Sequence, residues 1–177
     1  MRKWCVLAAS RLIVAVAVVL LSGISMPKPG LALDPPTGRV ILEIDGEISE
    51  HNREGGIVAF DRAMLEALGI VTIVTETPWT EGKVAFEGVR VADLLAAVGA
   101  RGTSMKAVAI NDYAVDLPLS DFQDTGAILA LKKDGDYMRI RDKGPLWLIY
   151  PWSDRPELKT EVYHARSIWQ LKRLTIE

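Results

Sequence analysis

The chain has one cysteine and two histidines in 177 residues, and each scarcity closes a class of function. Cys5 lies ahead of the first apolar run, so residues 33–177 can form no disulfide and offer no thiolate to a metal or a substrate. The two imidazoles, His51 and His164, have no metal-ligand partner at helical spacing. There is no Gly-x-Ser-x-Gly nucleophile elbow and no phosphate-cradling glycine loop. Internal repeats and low-complexity segments are absent as well. A basic surface is also missing: residues 33–177 carry 17 basic against 23 acidic side chains, a net charge of −6. Nucleic acid, whose phosphates need a positive face, is therefore not an expected partner.

Long apolar runs are confined to the start. Arg2, Lys3 and Arg11 precede the uncharged stretch Leu12 to Ile24, after which small residues lead to Gly30, Leu31 and Ala32. A basic start, an apolar run and a small-residue end read as a secretory signal peptide over residues 1–32. The run is shorter than the ~20 apolar residues of a membrane span, so an uncleaved anchor is the weaker alternative. Cys5 precedes the run instead of following it, which excludes a lipoprotein. The expected mature chain begins near Leu33, is periplasmic in a bacterium, and at 145 residues suffices for one domain with a real core.

Within residues 33–177 the organising stretch is Val71 to Gly99. β-Branched residues around Val71 and Ile73 predict a strand that ends at Thr75, Glu76, Thr77 and Pro78. Val84 and Phe86 alternate with Lys83, Ala85 and Glu87 as a second strand, which Gly88 breaks. Val91, Leu94, Leu95 and Val98 then fall at helical spacing, with Gly99 as the left-handed residue that ends the helix.

Upstream, Val40, Leu42 and Ile44 alternate as a first strand, His51 to Gly56 reads as a loop, and Asp61 caps a helix that Gly69 closes. Downstream, Met105 to Ile110 and Tyr113 to Leu117 flank the turn Asn111-Asp112. Thr125 to Leu131 and Leu146 to Tyr150 are further strands, separated by the turn Lys133-Asp134-Gly135. In the last strand Trp169 and Leu171 lie on one parity and Leu174 and Ile176 on the other, which predicts a β-bulge near Lys172 or Arg173. Many short strands with two or three short helices make the fold class α+β, β-dominant.

Taken in order, several stretches resemble the molybdopterin-binding domain of the sulfite oxidase family. They are Phe86-Glu87-Gly88-Val89 running into Ala92-Asp93-Leu94-Leu95, Asn111-Asp112-Tyr113, Ala127 to Ala130, Lys133-Asp134-Gly135, Lys143-Gly144-Pro145-Leu146 and Tyr150-Pro151. The resemblance covers roughly Val40 to Glu177 and implies a sulfite oxidase-like molybdopterin-binding domain fold with short helices. In enzymes of that family a cysteine on the loop ahead of the segment matching Phe86 to Val89 binds molybdenum. Here that loop reads Val74-Thr75-Glu76-Thr77-Pro78-Trp79, and a threonine hydroxyl differs from a thiolate in charge and in softness. The resemblance thus allows molybdopterin as a cofactor, while the residues give no reason to expect a bound metal.

The candidate pocket residues are Thr75, Thr77, Trp79, Arg139, Lys143 and Tyr150; no catalytic residue is named. Trp79 suits either a stacking platform for a ring or a cap on the core. Thr75 and Thr77 suit either pocket hydrogen bonding or closure of the strand end. Arg139, Arg141, Asp142 and Lys143 have the balanced signs of a solvated hairpin, and in the resemblance this loop faces the pocket, where Arg139 and Lys143 would hold an anion. Tyr150, Pro151 and Trp152 form an aromatic edge; Tyr163 and Trp169 are expected to close the core.

Three readings stay open. The chain is an exported, non-catalytic domain that presents its pocket to a small anionic or ring-bearing ligand or to a partner such as a membrane sensor or redox protein; it is a molybdopterin-dependent oxidoreductase or its accessory subunit; or it is a structural subunit whose own Trp and Tyr rings fill the pocket.

Overall fold

The computed structural model describes residues 33–177; the expected signal peptide, residues 1–32, lies outside them. Ten strands form two sheets. In the first, β1 (Val40–Gly46) pairs antiparallel with β2 (Val58–Asp61) and parallel with β10 (Leu171–Ile176), which continues antiparallel to β5 (Ser104–Ala109) and β6 (Ala114–Pro118). In the second, β3 (Ile70–Glu76), β4 (Lys83–Arg90) and β7 (Ile128–Lys133) are antiparallel neighbours. The far edge of β7 is shared by β8 (Asp136–Tyr137) and β9 (Trp147–Ile149). One apolar cluster joins the sheets, with Ile44, Phe60, Met105 and Leu174 from the first meeting Phe86, Leu129 and Leu148 from the second. α2 (Val91–Ala97) adds Val91, Leu94 and Leu95 to it. Among the described residues no helix is long and apolar enough to cross a membrane.

Local chemistry accounts for most boundaries. Asp61 caps α1 (Arg62–Ala67) by accepting the Met64 N–H at 2.9 Å, and its other oxygen accepts the Gly38 N–H at 2.7 Å. Those N–H groups, Met64 first, hold its carboxyl below the ordinary aspartate range. Gly99 follows α2 at φ +61°, as its position predicts. The turn after β7 places Asp134 and Gly135 at φ 51° and 86°. The β10–β5 register shifts between Leu171 and Arg173, so the bulge predicted from parity sits at Lys172.

Several expectations are corrected. Gly88 does not break its strand: β4 runs on to Arg90 with a register shift between Glu87 and Gly88 against β7. The glycine serves close approach, since a Cβ there would lie 2.1 Å from the Leu129 carbonyl oxygen. Val58 to Asp61, read only as the approach to a helix cap, is a fully buried strand against β1. The strand expected at Thr125 starts at Ile128, after the short helix α3 (Asp121–Asp124). A fourth short helix, α4 (Glu161–Arg166), precedes β10. Helices of four to six residues carry too few periodic positions to be read from sequence.

Gly88→Ala is expected to lower the stability of the chain by about 1–3 kcal/mol, because the added methyl must push β4 from β7. Urea unfolding measures it; an unchanged midpoint would show that the two strands separate freely.

Candidate functional site

β7 determines where the site lies. On one edge it holds β4, and the connection from β3 to β4, residues 77–82, carries Trp79. On the other edge it holds β8 and β9, joined through a short 3-10 helix (Ile140–Asp142) and Lys143. The two connections meet over Trp147 of β9. Trp79 lies edge-on to Trp147, Trp152 and Trp169, with ring centroids 5.8, 6.3 and 5.4 Å away. Trp147 also meets Phe86 edge-on at 5.4 Å. Its indole N–H donates to the Ser167 hydroxyl at 3.1 Å, so this ring is buried with its polar atom satisfied.

Lys143 ends the 3-10 helix in the left-handed region, at φ 73°. Its ammonium stands 3.7 Å above the centroid of Trp169, 5.3 Å from that of Trp147 and 5.9 Å from that of Trp79. Ring faces attract a cation, most strongly where water is thin. Among the described residues no carboxylate pairs with this ammonium within 4.0 Å, and burial pushes its pKa below the ordinary lysine value. Arg139 and Arg141 behave differently. Both reach Asp142, at 2.7 and 3.8 Å, with most of their side chains in solvent. The Arg139 hydrogen bond holds the Asp142 carboxyl below its usual range. Such exposed pairs contribute little to stability.

Trp79, Arg139 and Lys143 line one open cavity of about 820 Å³, together with Thr80, Tyr137, Met138 and Trp147. Three of the six candidate residues are thus brought together, and three are not on its wall. Thr75 is fully buried; its hydroxyl accepts the Ser153 N–H at 2.9 Å and lies 3.1 Å from the Glu76 carbonyl oxygen, clamping the end of β3 to the turn after Pro151. Thr77 accepts the Trp79 N–H at 3.1 Å and pairs with the Thr80 hydroxyl at 2.9 Å, shaping the loop from behind. Tyr150 is buried between Phe122, Trp152 and Tyr163, and burial raises the pKa of its hydroxyl.

One wall residue, Trp147, and one ring packed beside it, Trp169, escaped the sequence. Trp147 sits in the continuously apolar run Leu146 to Tyr150, which has no alternation to mark a face. Trp169 was assigned to closing the core, yet a bridge to Trp147 sets it beside Lys143. The solvated-hairpin expectation for residues 139–143 holds for Arg139 and Arg141 and fails for Lys143, which the left-handed backbone turns toward the rings.

The donor set does not fit a molybdenum centre. The loop where the resemblance places the metal-binding thiolate carries the Thr75 hydroxyl, already committed to Ser153 and Glu76. Among the described residues no group of three or more His, Cys, Asp or Glu side chains is placed to hold a metal ion.

Trp79 both packs on its neighbours and faces the cavity. Trp79→Ala is therefore expected to cost about 1–3 kcal/mol, less than the ~3–5 kcal/mol of Trp147→Ala, whose ring is fully buried. Thermal denaturation of both variants checks the order; equal losses would make Trp79 a core residue and nothing more.

The model of the oxidoreductase molybdopterin binding domain family matches residues 61–154. Among solved structures the chain is similar to the crystal structure of the sulfane dehydrogenase SoxCD from Paracoccus pantotrophus, with a TM-score of 0.58 and 18% sequence identity. That match covers 82% of this chain and 40% of the other, so the chain spans less than half the length of its structural neighbour, and at this identity the likeness concerns the fold. No curated protein matches the sequence. With more than half of its residues matched, the chain belongs to the oxidoreductase molybdopterin binding domain family, on the β-dominant sulfite oxidase-like fold.

Proposed function

We propose that this family member is an exported, non-catalytic binding domain whose cavity holds a small, ring-bearing anion. The carrying observation is the Lys143 ammonium, 3.7 Å over Trp169 and free of a carboxylate partner among the described residues, at the wall of a cavity of about 820 Å³. A cation left without a counter-ion in partly dry surroundings gains most from an anionic guest, and the Trp79 ring beside it supplies a stacking edge. The cavity volume falls in the range of ordinary small-molecule sites. Arg139, long and exposed, can swing from Asp142 to the same guest at small cost. The metal-free pterin, a ring system carrying a phosphate, belongs to this ligand class. Delivery of the bound ligand state to a membrane sensor or a redox protein is the role we assign to such a domain. Export rests on the basic start, the apolar run and the small residues before Leu33.

Protein purified from cells able to make the pterin cofactor is expected to contain no stoichiometric molybdenum by elemental analysis. One molybdenum per chain, with sulfite or sulfoxide turnover in a dye-coupled assay, would overturn the non-catalytic reading.

Quenching of tryptophan fluorescence by 1-naphthyl phosphate probes the cavity directly. Lys143→Gln is expected to weaken binding about tenfold, or ~1.4 kcal/mol. Because burial lowers the Lys143 pKa, its charge is lost on the alkaline side earlier than that of an ordinary lysine. Affinity should fall as pH rises through that lowered pKa, and Lys143→Arg should move the fall upward. Binding indifferent to both variants would remove Lys143 from the site.

A further inference from the structure

A second concavity lies on the other side of the β7–β8 hairpin. The β1–β2 register shifts between Val40 and Leu42, and the β10–β5 register shifts between Leu171 and Arg173. The residues left out of the two ladders, Ile41 and Lys172, belong to neighbouring strands, and both line the same groove of about 850 Å³. Bulges redirect side chains that a regular ladder would hold elsewhere. The groove also collects exposed apolar surface. Of the seven large apolar side chains exposed among the described residues, Ile110, Tyr137 and Ile140 converge here, at 41%, 42% and 46% exposure. Converging apolar groups on a soluble surface mark a binding site more often than a chance patch.

Its charge is opposite to that of the chain. Arg39 and Arg62 line the groove, and among the described residues neither pairs with a carboxylate within 4.0 Å. The guanidinium of Arg62 lies 4.0 Å over the Tyr137 ring. The acidic groups on the same wall, Asp61 and Glu66, accept from the Met64 and Gly38 N–H groups and from the Tyr137 hydroxyl, and the lining carries four basic side chains against these two. Lys172 and Arg139 have their own partners, Asp112 and Asp142. An apolar floor with two uncommitted guanidiniums at its margin, on a chain of net charge −2, is complementary to a molecule with an apolar body and one anionic head.

From this juxtaposition we infer that the groove binds a single-chain anionic amphiphile from free solution, of the long-chain carboxylate type. The apolar chain lies over Ile41, Ile110 and Ile140, and the head group meets Arg39 and Arg62. The groove shares the wall Tyr137 to Arg139 with the cavity at Trp79, while Arg39, Arg62, Ile41, Ile110 and Ile140 line the groove and not that cavity.

Calorimetric titration of the purified chain with laurate below its micelle concentration tests the assignment. One laurate per chain is expected, with amide NMR shifts centred on Ile41, Ile110 and Ile140. Hexanoate, which has the head without the long body, and dodecyltrimethylammonium, which has the body with the opposite charge, should each bind at least tenfold more weakly. Arg39→Gln and Ile140→Ser are both on the surface, outside the Trp79 cavity, and each should weaken laurate at least tenfold while leaving the thermal midpoint in place. Trp79→Ala should leave laurate binding unchanged, so loss of the cavity function and loss of this one are told apart. Absence of binding, equal binding of the trimethylammonium analogue, or shifts centred on Trp79 would overturn the inference. So would laurate indifference accompanied by self-association that Ile140→Ser abolishes, which would give the groove to a second copy of the chain.

Discussion

The close approach of β4 to β7 is the constraint from which the site follows. Because residue 88 has no side chain, the two backbones pass where a Cβ would strike the Leu129 carbonyl at 2.1 Å, and the ladder shifts register at that point. β7 can then hold β4 on one edge and β8 and β9 on the other. The loop before β4 and the connection between β8 and β9 are thereby brought over the same tryptophan, Trp147. Neither loop could build the cavity alone: one supplies the ring of Trp79, the other the ammonium of Lys143. Both are fixed at their bases by strands paired into one sheet, which is how a surface site acquires definite geometry.

The same arrangement explains what became of the position where relatives would be expected to bind metal. The Thr75 hydroxyl is turned inward and accepts the Ser153 N–H, while the Ser153 hydroxyl accepts the Glu76 N–H at 3.0 Å. These reciprocal bonds join the end of β3 to the turn after Pro151 through the N–H groups of Glu76 and Ser153. The hydroxyl therefore serves as a structural clasp. The rings and cations of the cavity wall lie outward of it, groups suited to recognising charge and shape.

How much of this the sequence carried depends on how local each signal is. β3, β4, α2 and the turn at Asp134-Gly135 were legible because alternation, helical spacing and turn residues act within a few positions. The bulge at Lys172 was legible because parity slips where a residue is added. β2 was not, since its four buried residues gain their strand character from pairing with β1. In the site, Trp79 was found by residue type and loop position, and Arg139 and Lys143 by the resemblance, against the solvated hairpin that their charges alone suggest. Thr75, Thr77 and Tyr150 were grouped with them because a polar group near a loop looks the same in sequence whether it faces a cavity or a neighbouring backbone. Trp147 was hidden by an apolar run that gives no indication of face, and the parity of Trp169 with Leu171 says nothing of its approach to Lys143, which comes from a distant loop.

The hairpin of β7 and β8 separates the two concavities, and its rigidity decides whether they act as one site or two. Tyr137, Met138 and Arg139 line both. On one side the Tyr137 hydroxyl donates to Glu66 of α1, with the Arg62 guanidinium over its ring. On the other, the chain passes flush against the hairpin at Gly144, where a Cβ would lie 2.0 Å from the Met138 carbonyl oxygen. Pinned at both faces, the hairpin has little freedom to yield to a guest on either side, because close-packed elements are stiff and shift only where a second arrangement exists. Arg139 is a solvent-exposed cation common to both walls. Its link to Asp142 at 2.7 Å draws the guanidinium to the stretch that carries Lys143, which leaves Arg39 and Arg62 as the cations of the groove. The two proposed sites therefore differ in chemistry, one aromatic and one aliphatic, across a single wall.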